Sequence, residues 1–490
     1  MSDLPDLGAF GATFEEFMRA MMEAAEQAES EIAPRLRAHL GADPRELPTT
    51  GLELPLTEQA NLQLALDAVL PEAEVLGFTT RHSGFGAVGI SELLTGQSMM
   101  GPVRFGPVQH IEVEVGDGRI IRCLAGGVLL ATHDGAPVVL VISRAGDHPG
   151  RPSLVKLEGV SARDGAVSKL LRALRDAMRL HNVYRGRIIS LHRHGHEGID
   201  GAVSVQFHAV PPVERHGVVL PDGTLERLER HTVGIAESAD RLRAAGRHLK
   251  RGVLLHGPPG TGKTLSVMYL LHAMAGRTTI LLTGRGLGLI EHALAIGRDL
   301  APATFVLEDI DLVATERTMH FGAEGVLFEL LNQMEGLAED EDLLFLLTTN
   351  RPDIIEPALA ARPGRVDLAL EIPLPDDDGR RRLLELYGEG VDLPDTVTAD
   401  LVARSAGVSG AFIKELMRQA WLRATLAGHD TPEAAEVAAV LDELLEERST
   451  LTRRLLGQPG EGGAPPGGGM PSMLRAMGAA GLPVPIAFED

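Results

Sequence analysis

The chain has 490 residues, 44% of them hydrophobic and 23% charged, which suits a soluble globular protein of about three structural units with real cores. Its formal net charge is −22, from 46 basic and 68 acidic side chains, which argues against a general affinity for nucleic acid or anionic membranes, since both need a cationic face. The single cysteine, Cys123, excludes an internal disulfide and a cysteine-based zinc or redox centre. The start carries acids (Asp3, Asp6) where a signal peptide carries bases, and no apolar run reaches the roughly 18 residues of a membrane span. A cytoplasmic protein without a membrane span is expected.

Residues 14–40 are mostly helix formers, and Phe14, Phe17, Met18, Met21 and Met22 recur at helical spacing, which reads as a packing face. A short helix is expected at residues 61–70. Strand-like runs follow at 120–123, 128–132 and 137–143. The last two flank His133-Asp134-Gly135-Ala136, a hairpin turn because Asp-Gly tolerates positive φ. An amphipathic helix is predicted over 166–180, then strands at 186–191 and 202–209, with Pro211-Pro212 punctuating the chain. Residues 1–215 therefore read as an α+β N-terminal domain, suited to holding a client or partner. Beyond them short apolar strands at 253–255, 279–282, 304–307 and 343–347 alternate with helices, the rhythm of a parallel α/β sheet. Residues 457–490 begin as a Gly/Pro-rich stretch that buries too little surface to offset chain entropy, and this tail is expected to be disordered.

Gly257-Pro258-Pro259-Gly260-Thr261-Gly262-Lys263-Thr264 fits the G-x-x-x-x-G-K-[ST] loop at every fixed position, after a strand and before a helix that runs from Leu265. Glycines let backbone N–H groups turn inward around phosphate oxygens, and the helix N-terminus adds a favourable dipole. Lys263 is expected at the β- and γ-phosphates of ATP and the Thr264 hydroxyl on Mg²⁺. Farther on, the strand 304–307 ends in Glu308-Asp309-Ile310-Asp311, which delivers carboxylates beside that loop. A third strand ends in Thr348-Thr349-Asn350, which brings a polar amide near the γ-phosphate to position the attacking water.

With these elements in order, the chain resembles the AAA subfamily of the AAA+ ATPases over residues 218–447. Leu330-Leu331-Asn332-Gln333-Met334-Glu335-Gly336 is similar to its L-L-x-x-M-[DE]-G segment, and Thr349-Asn350-Arg351-Pro352-Asp353 to its T-N-R-P-D. Residues 361–367 resemble R-P-G-R-[FVL]-D, and Ser409-Gly410-Ala411 the S-G-A that opens a lid helix. The resemblance implies an α/β P-loop NTPase core with a parallel sheet at 216–390 and an α-helical lid at 391–456. It implies ATP and Mg²⁺, with Leu265, Gly410 and Ala411 joining the loop around the nucleotide. Arg362 and Arg365 would be arginine fingers reaching the next subunit's site, so a homo-oligomeric ring, by family habit a hexamer, is expected. The implied function is ATP-driven remodelling, disassembly or translocation of a protein client; the alternative is a slow nucleotide switch or assembly scaffold.

Three places depart from the family pattern. Most relatives end the metal strand in Asp-Glu; here the order is reversed, as in the similar mitochondrial translocase of the Rieske iron–sulfur subunit. Glu308 would then take the metal role and Asp309, one methylene shorter, the base role. The stretch from Thr283 to Glu291, where polypeptide-threading relatives place an aromatic residue, has none, and the run from Glu356 to Arg362 is one residue longer than usual. His192, His194 and His196, with His208 nearby, would share a face on one strand, but no cysteine or other ligand spacing accompanies them. His196-Glu197-Gly198-Ile199-Asp200 ends in Asp where a zinc protease motif needs His.

Overall fold

The apolar runs at residues 120–143 become neighbouring antiparallel strands in the computed structural model, which describes residue 16 and residues 30–80, 87–98, 101–145, 154–193, 203–282, 289–310, 340–352 and 366–455. The first sheet uses β1 (Thr49–Pro55), β2 (Glu74–Thr80), β3 (Gln97–Ser98), β4 (Gly101–Gly106), β5 (Gln109–Glu114), β6 (Ile120–His133), β7 (Ala136–Ala145) and β8 (Leu154–Val160). Their order is β1-β8-β7-β6-β2-β4-β3, with β5 paired to β6. The two strands expected at 120–123 and 128–132 are one strand, β6. Its first part pairs with β5 and its second with β2, so the ladder runs through Gly126 and Gly127. The β6–β7 turn is as expected: Asp134 and Gly135 have φ of 51° and 69°, and His133 pairs with Ala136.

Alternation along the strands sorts this sheet into two apolar faces. Leu129, Leu140, Ile142 and Leu157 meet the helices Gln59–Val69 and Ala166–Leu180 on one side. Val128, Leu130, Val139 and Val141 meet Ala33–Leu40 and Ile90–Thr95 on the other. The helix at 166–180 forms because Leu170, Leu174 and Met178, with Val167 and Leu171, line one stripe at the helical period. Of the helix expected at 14–40, only Glu16 and residues 30–40 are described. The Met/Phe stripe lies outside the described residues, as does the tail at 457–490.

The second sheet contains β9 (Ile188–Arg193), β10 (Val203–His208), β11 (Arg251–His256), β12 (Thr278–Leu282), β13 (Ala303–Leu307), β14 (Leu343–Thr349) and β15 (Leu368–Glu371). Their order is β10-β9-β12-β13-β14-β11-β15, parallel throughout except for the β9–β10 hairpin. β13 and β14 are buried at every position, which is why they read as continuous apolar runs: helices cover both faces. Leu254, Ile280, Phe305, Phe345 and Leu347 face the helix Ile290–Asp299. Val253, Leu255, Val306, Leu344 and Leu346 face the helices Lys263–Ala273 and Thr224–His231. Phe305 stacks on Phe345, its register partner, with centroids 4.8 Å apart. Gly297 admits the covering helix, since a Cβ there would come within 2.2 Å of the Phe305 ring.

The strands β9 and β10 fall within residues 1–215, expected as an N-terminal domain, and β9 pairs with β12 and lengthens the second sheet. The join to the first sheet is local: Val183 N–H donates to Asn61 Oδ1 at 2.8 Å, Tyr184 O–H donates to the Thr57 carbonyl, and Arg187 pairs with Asp117. A separate helical unit takes in Arg380–Val408 and the described residues from Phe412 onward, so it begins before the expected lid boundary at 391. Its described helices bury Leu401, Val402, Ile413, Leu416, Met417, Val440 and Leu441. No helix among the described residues is long and apolar enough to cross a membrane.

Candidate functional site

In an open parallel sheet, ligands bind beyond the carboxyl ends of the strands, and three adjacent strands here end in polar residues. β11 runs into the loop Gly257–Thr264, β13 into Glu308 and Asp309, and β14 into Asn350. The loop turns because Gly257, Gly260 and Gly262 hold φ of 141°, 75° and 105°. At Gly257 a side chain is impossible: a Cβ would lie 2.2 Å from the Ile372 carbonyl oxygen, which follows β15. Pro259 is exposed, and the Pro258 carbonyl accepts from the Thr261 hydroxyl at 2.9 Å.

Lys263 is buried although it is a lysine. Its ammonium donates to the carbonyls of Gly257 and Pro258, both at 2.8 Å, so the cation sits inside the loop's curve. Ser266 ties the following turn back by donating to the Gly262 carbonyl at 2.9 Å. Leu265 packs partly buried against the core beneath the helix. Leu220 belongs to that same core, and its Cδ2 is the nearest atom to a Cβ built on Gly262, at 3.9 Å. Ala411 N–H donates to the Gly260 carbonyl at 3.0 Å, and a Cβ on Gly260 would lie 2.9 Å from both Ala411 Cβ and Ser409 Oγ. Ser409, Gly410 and Ala411 group with the first unit for this reason.

The Thr264 hydroxyl lies beside the Glu308 carboxyl. Burial of that carboxyl end raises its pKa above the ordinary value, the Thr264 hydroxyl opposes this, and the neighbouring Asp309 charge adds to it. A hydroxyl and a carboxylate brought together at a loop of this kind are a hard oxygen donor pair, the set that suits Mg²⁺. Asp309 adopts φ of 47°, one of three non-glycine residues in the left-handed region among those described. Its backbone N–H donates to Thr348 Oγ1 at 3.0 Å, and Asn350 Nδ2 donates to its Oδ1 at 3.0 Å. Asp367, the last residue of the R-P-G-R-V-D segment, clamps β11 instead: its Oδ2 accepts from Gly252 N–H at 2.8 Å.

The structure thus brings together the loop, Thr264, Glu308, Asp309, Asn350 and Ala411. Arg362, Arg365 and Asp311 lie outside the described residues, as do most of the stretch at 283–291 and the segment 330–336. His192 and His208 each bond the Ser190 hydroxyl through Nε2 at 2.7 Å. His194, His196, Glu197 and Asp200 lie outside the described residues. Sequence reading gives Thr348 no role of its own, although it stands two residues before Asn350 and so shares its face of the strand.

Residues 253–374 match the family described as ATPase family associated with various cellular activities (AAA). The proteasome-activating nucleotidase of Methanothermobacter thermautotrophicus is 32% identical over 40% of this chain and 51% of its own length. The ATP-dependent zinc metalloprotease FtsH of Hahella chejuensis is 29% identical over 52% of this chain and 43% of its own. The 26S proteasome regulatory subunit 6A of Saccharomyces cerevisiae is 28% identical over 46% of this chain and 56% of its own. The chain spans about half the length of the curated relatives it matches.

Proposed function

We propose that this chain, whose residues 253–374 match the AAA ATPase family, hydrolyses ATP in a homo-oligomeric ring and uses the cycle to remodel, disassemble or translocate protein clients. One observation carries the reading: neighbouring parallel strands deliver a glycine loop, a Thr264–Glu308 oxygen pair and an Asp309–Asn350 pair to one edge of a sheet. Backbone N–H groups of Gly260–Thr264 and the helix N-terminus would hold the phosphates, with Lys263 neutralising the β- and γ-phosphates. Thr264 and Glu308 would hold Mg²⁺, which when bound offsets charge on the phosphate oxygens. Asp309 takes a proton from the attacking water as that oxygen bonds the γ-phosphorus and the bond to ADP breaks. Asn350 orients the same water. Leu265, Gly410 and Ala411 border the nucleoside, and Arg362 and Arg365 complete the site of the adjacent subunit, in a hexamer by the family resemblance. Names of relatives concerned with the proteasome and with proteolysis support a protein client.

The test is nucleotide titration of Lys263→Ala, which should lose ATP binding; unchanged affinity would overturn the site. Mixing Lys263→Ala with Arg365→Ala subunits should restore turnover that neither has alone, because one junction then holds an intact loop and an intact finger. Confirmed mixed rings without recovery would argue that Arg365 acts within its own chain or holds the interface, or that turnover needs several intact junctions at once. The aromatic-free stretch from Thr283 to Glu291 favours a second reading, a slow switch that does not thread polypeptide. Turnover stimulated by a client separates the two.

A further inference from the structure

β13 and β14 pair as far as Leu307 and Leu347, and there the main-chain ladder between them ends. The next contact is made by a side chain: Thr348, 1% exposed, accepts the Asp309 backbone N–H at 3.0 Å. Alternation puts Thr348 and Asn350 on one face of the strand and Thr349 on the other. Accordingly Thr349 Oγ1 accepts from Arg351 N–H at 3.0 Å, while Asn350 donates to Asp309 Oδ1. Asp309 is therefore held twice, by its backbone through Thr348 and by its carboxylate through Asn350.

The backbone hold bears on conformation. A left-handed φ of 47° is disfavoured for a residue with a Cβ, although aspartate tolerates it better than most, and it persists where neighbours over-determine it. Glutamate would reach an attacking water by side-chain length; an aspartate must be brought nearer by its backbone.

We propose that Thr348 is the positioning residue of this site: its hydroxyl fixes the Asp309 backbone in the left-handed conformation and so places a carboxylate one methylene short of glutamate within reach of the attacking water. This rests on the ATPase reading above. In this role Thr348 acts through its bond to the Asp309 N–H.

Thr348→Val keeps the shape and removes the acceptor, Thr348→Ala removes the acceptor with less bulk should valine disturb folding, and Thr348→Ser keeps the acceptor. Steady-state ATP turnover, ATP affinity by titration and amide hydrogen exchange at Asp309 are measured on the full chain. The expected result is a fall in kcat of about tenfold or more for the valine and alanine variants, since small misplacements of reacting groups are costly. ATP affinity stays within about twofold, the Asp309 amide exchanges faster, and serine restores kcat. In an Asp309→Asn background, Thr348→Val should cost nothing further. Unchanged kcat in Thr348→Val beside an active wild type overturns this role and leaves the ATPase reading standing. Loss of affinity in step with kcat, unrescued by serine, also overturns it, as the mark of a merely structural residue. A wild type that binds ATP without turnover overturns both together.

Discussion

The two ends of the parallel sheet handle charge in opposite ways. At the amino ends, Arg251 opens β11, Arg277 precedes β12 and Asp342 precedes β14, with side chains only 4%, 7% and 7% exposed. Asp342 Oδ1 receives Arg251 at 3.1 Å and Arg277 at 3.0 Å, and its Oδ2 receives Arg277 at 2.9 Å. Burial would push the Asp342 carboxyl up, but the Arg277 hydrogen bond and the charges of Arg277 and Arg251 outweigh it and hold it below the usual range. At the carboxyl ends burial prevails and Glu308 is pushed up. Lys263 there is folded onto loop carbonyls, and Asp309 sits in a disfavoured backbone region. One end of the same strands pairs its buried charges with each other; the other, on the proposed reading, keeps groups for a ligand. Stability and chemistry are thus separated along the strand direction, and substitutions at the two ends should separate them in experiment.

The largest effect is expected at the carboxyl end. Asp309→Asn should lower turnover by roughly 10² to 10⁴, the range for losing a general base, while ATP remains bound and the melting temperature holds. A variant that loses turnover and stability in parallel would break the proposed separation. At the other end, Asp342→Ala strands two buried guanidinium groups, and breaking a buried pair typically costs about 3–5 kcal/mol. Denaturant unfolding should show that loss. ATP affinity, measured where the variant is still folded, should stay near wild type.

Much of this contrast was legible in the sequence, and the part that was not has a common cause. The loop, the Glu308-Asp309 strand end and the Asn350 strand end could be read because each is a local pattern: a short buried run followed by residues of one chemistry. The hairpin turn at Asp134-Gly135 and the helix at 166–180 were legible for the same reason. Pairing between distant strands has no local signature. The hairpin at 188–208 lies within strand-rich sequence and was grouped with it, though its partner is β12, some distance along the chain. The Arg251–Arg277–Asp342 cluster was invisible because its members are far apart in sequence and each looks like a surface charge flanking a strand. Thr348 was passed over because threonine at a strand end is ordinary; only its bond to the Asp309 N–H gives it a role.

The smallest effect tests the comparison most sharply, because the two carboxylates should respond to pH with opposite sign. Asp342 has a depressed folded pKa, so its stabilisation is complete above its unfolded value near about pH 4 and is lost as pH falls through the folded value. The deficit of Asp342→Asn relative to wild type should therefore be constant from roughly pH 5 to 8 and shrink in acid. Glu308 has a raised folded pKa, so the folded state is penalised once pH rises through that value, and no penalty exists below the unfolded value of about 4.3. Glu308→Gln, unfolded without divalent cations, should thus be slightly more stable than wild type at neutral pH and equal to it near about pH 4. The gain should be no more than about 0.5 kcal/mol, because Glu308 keeps much of its surface in solvent, which screens its charge. On the proposed reading of Glu308 as a metal ligand, the same variant should bind ATP more weakly in Mg²⁺. A loss of stability at neutral pH would mean that Glu308 is held in place much as Asp342 is, and that the carboxyl ends of these strands are built for rigidity after all.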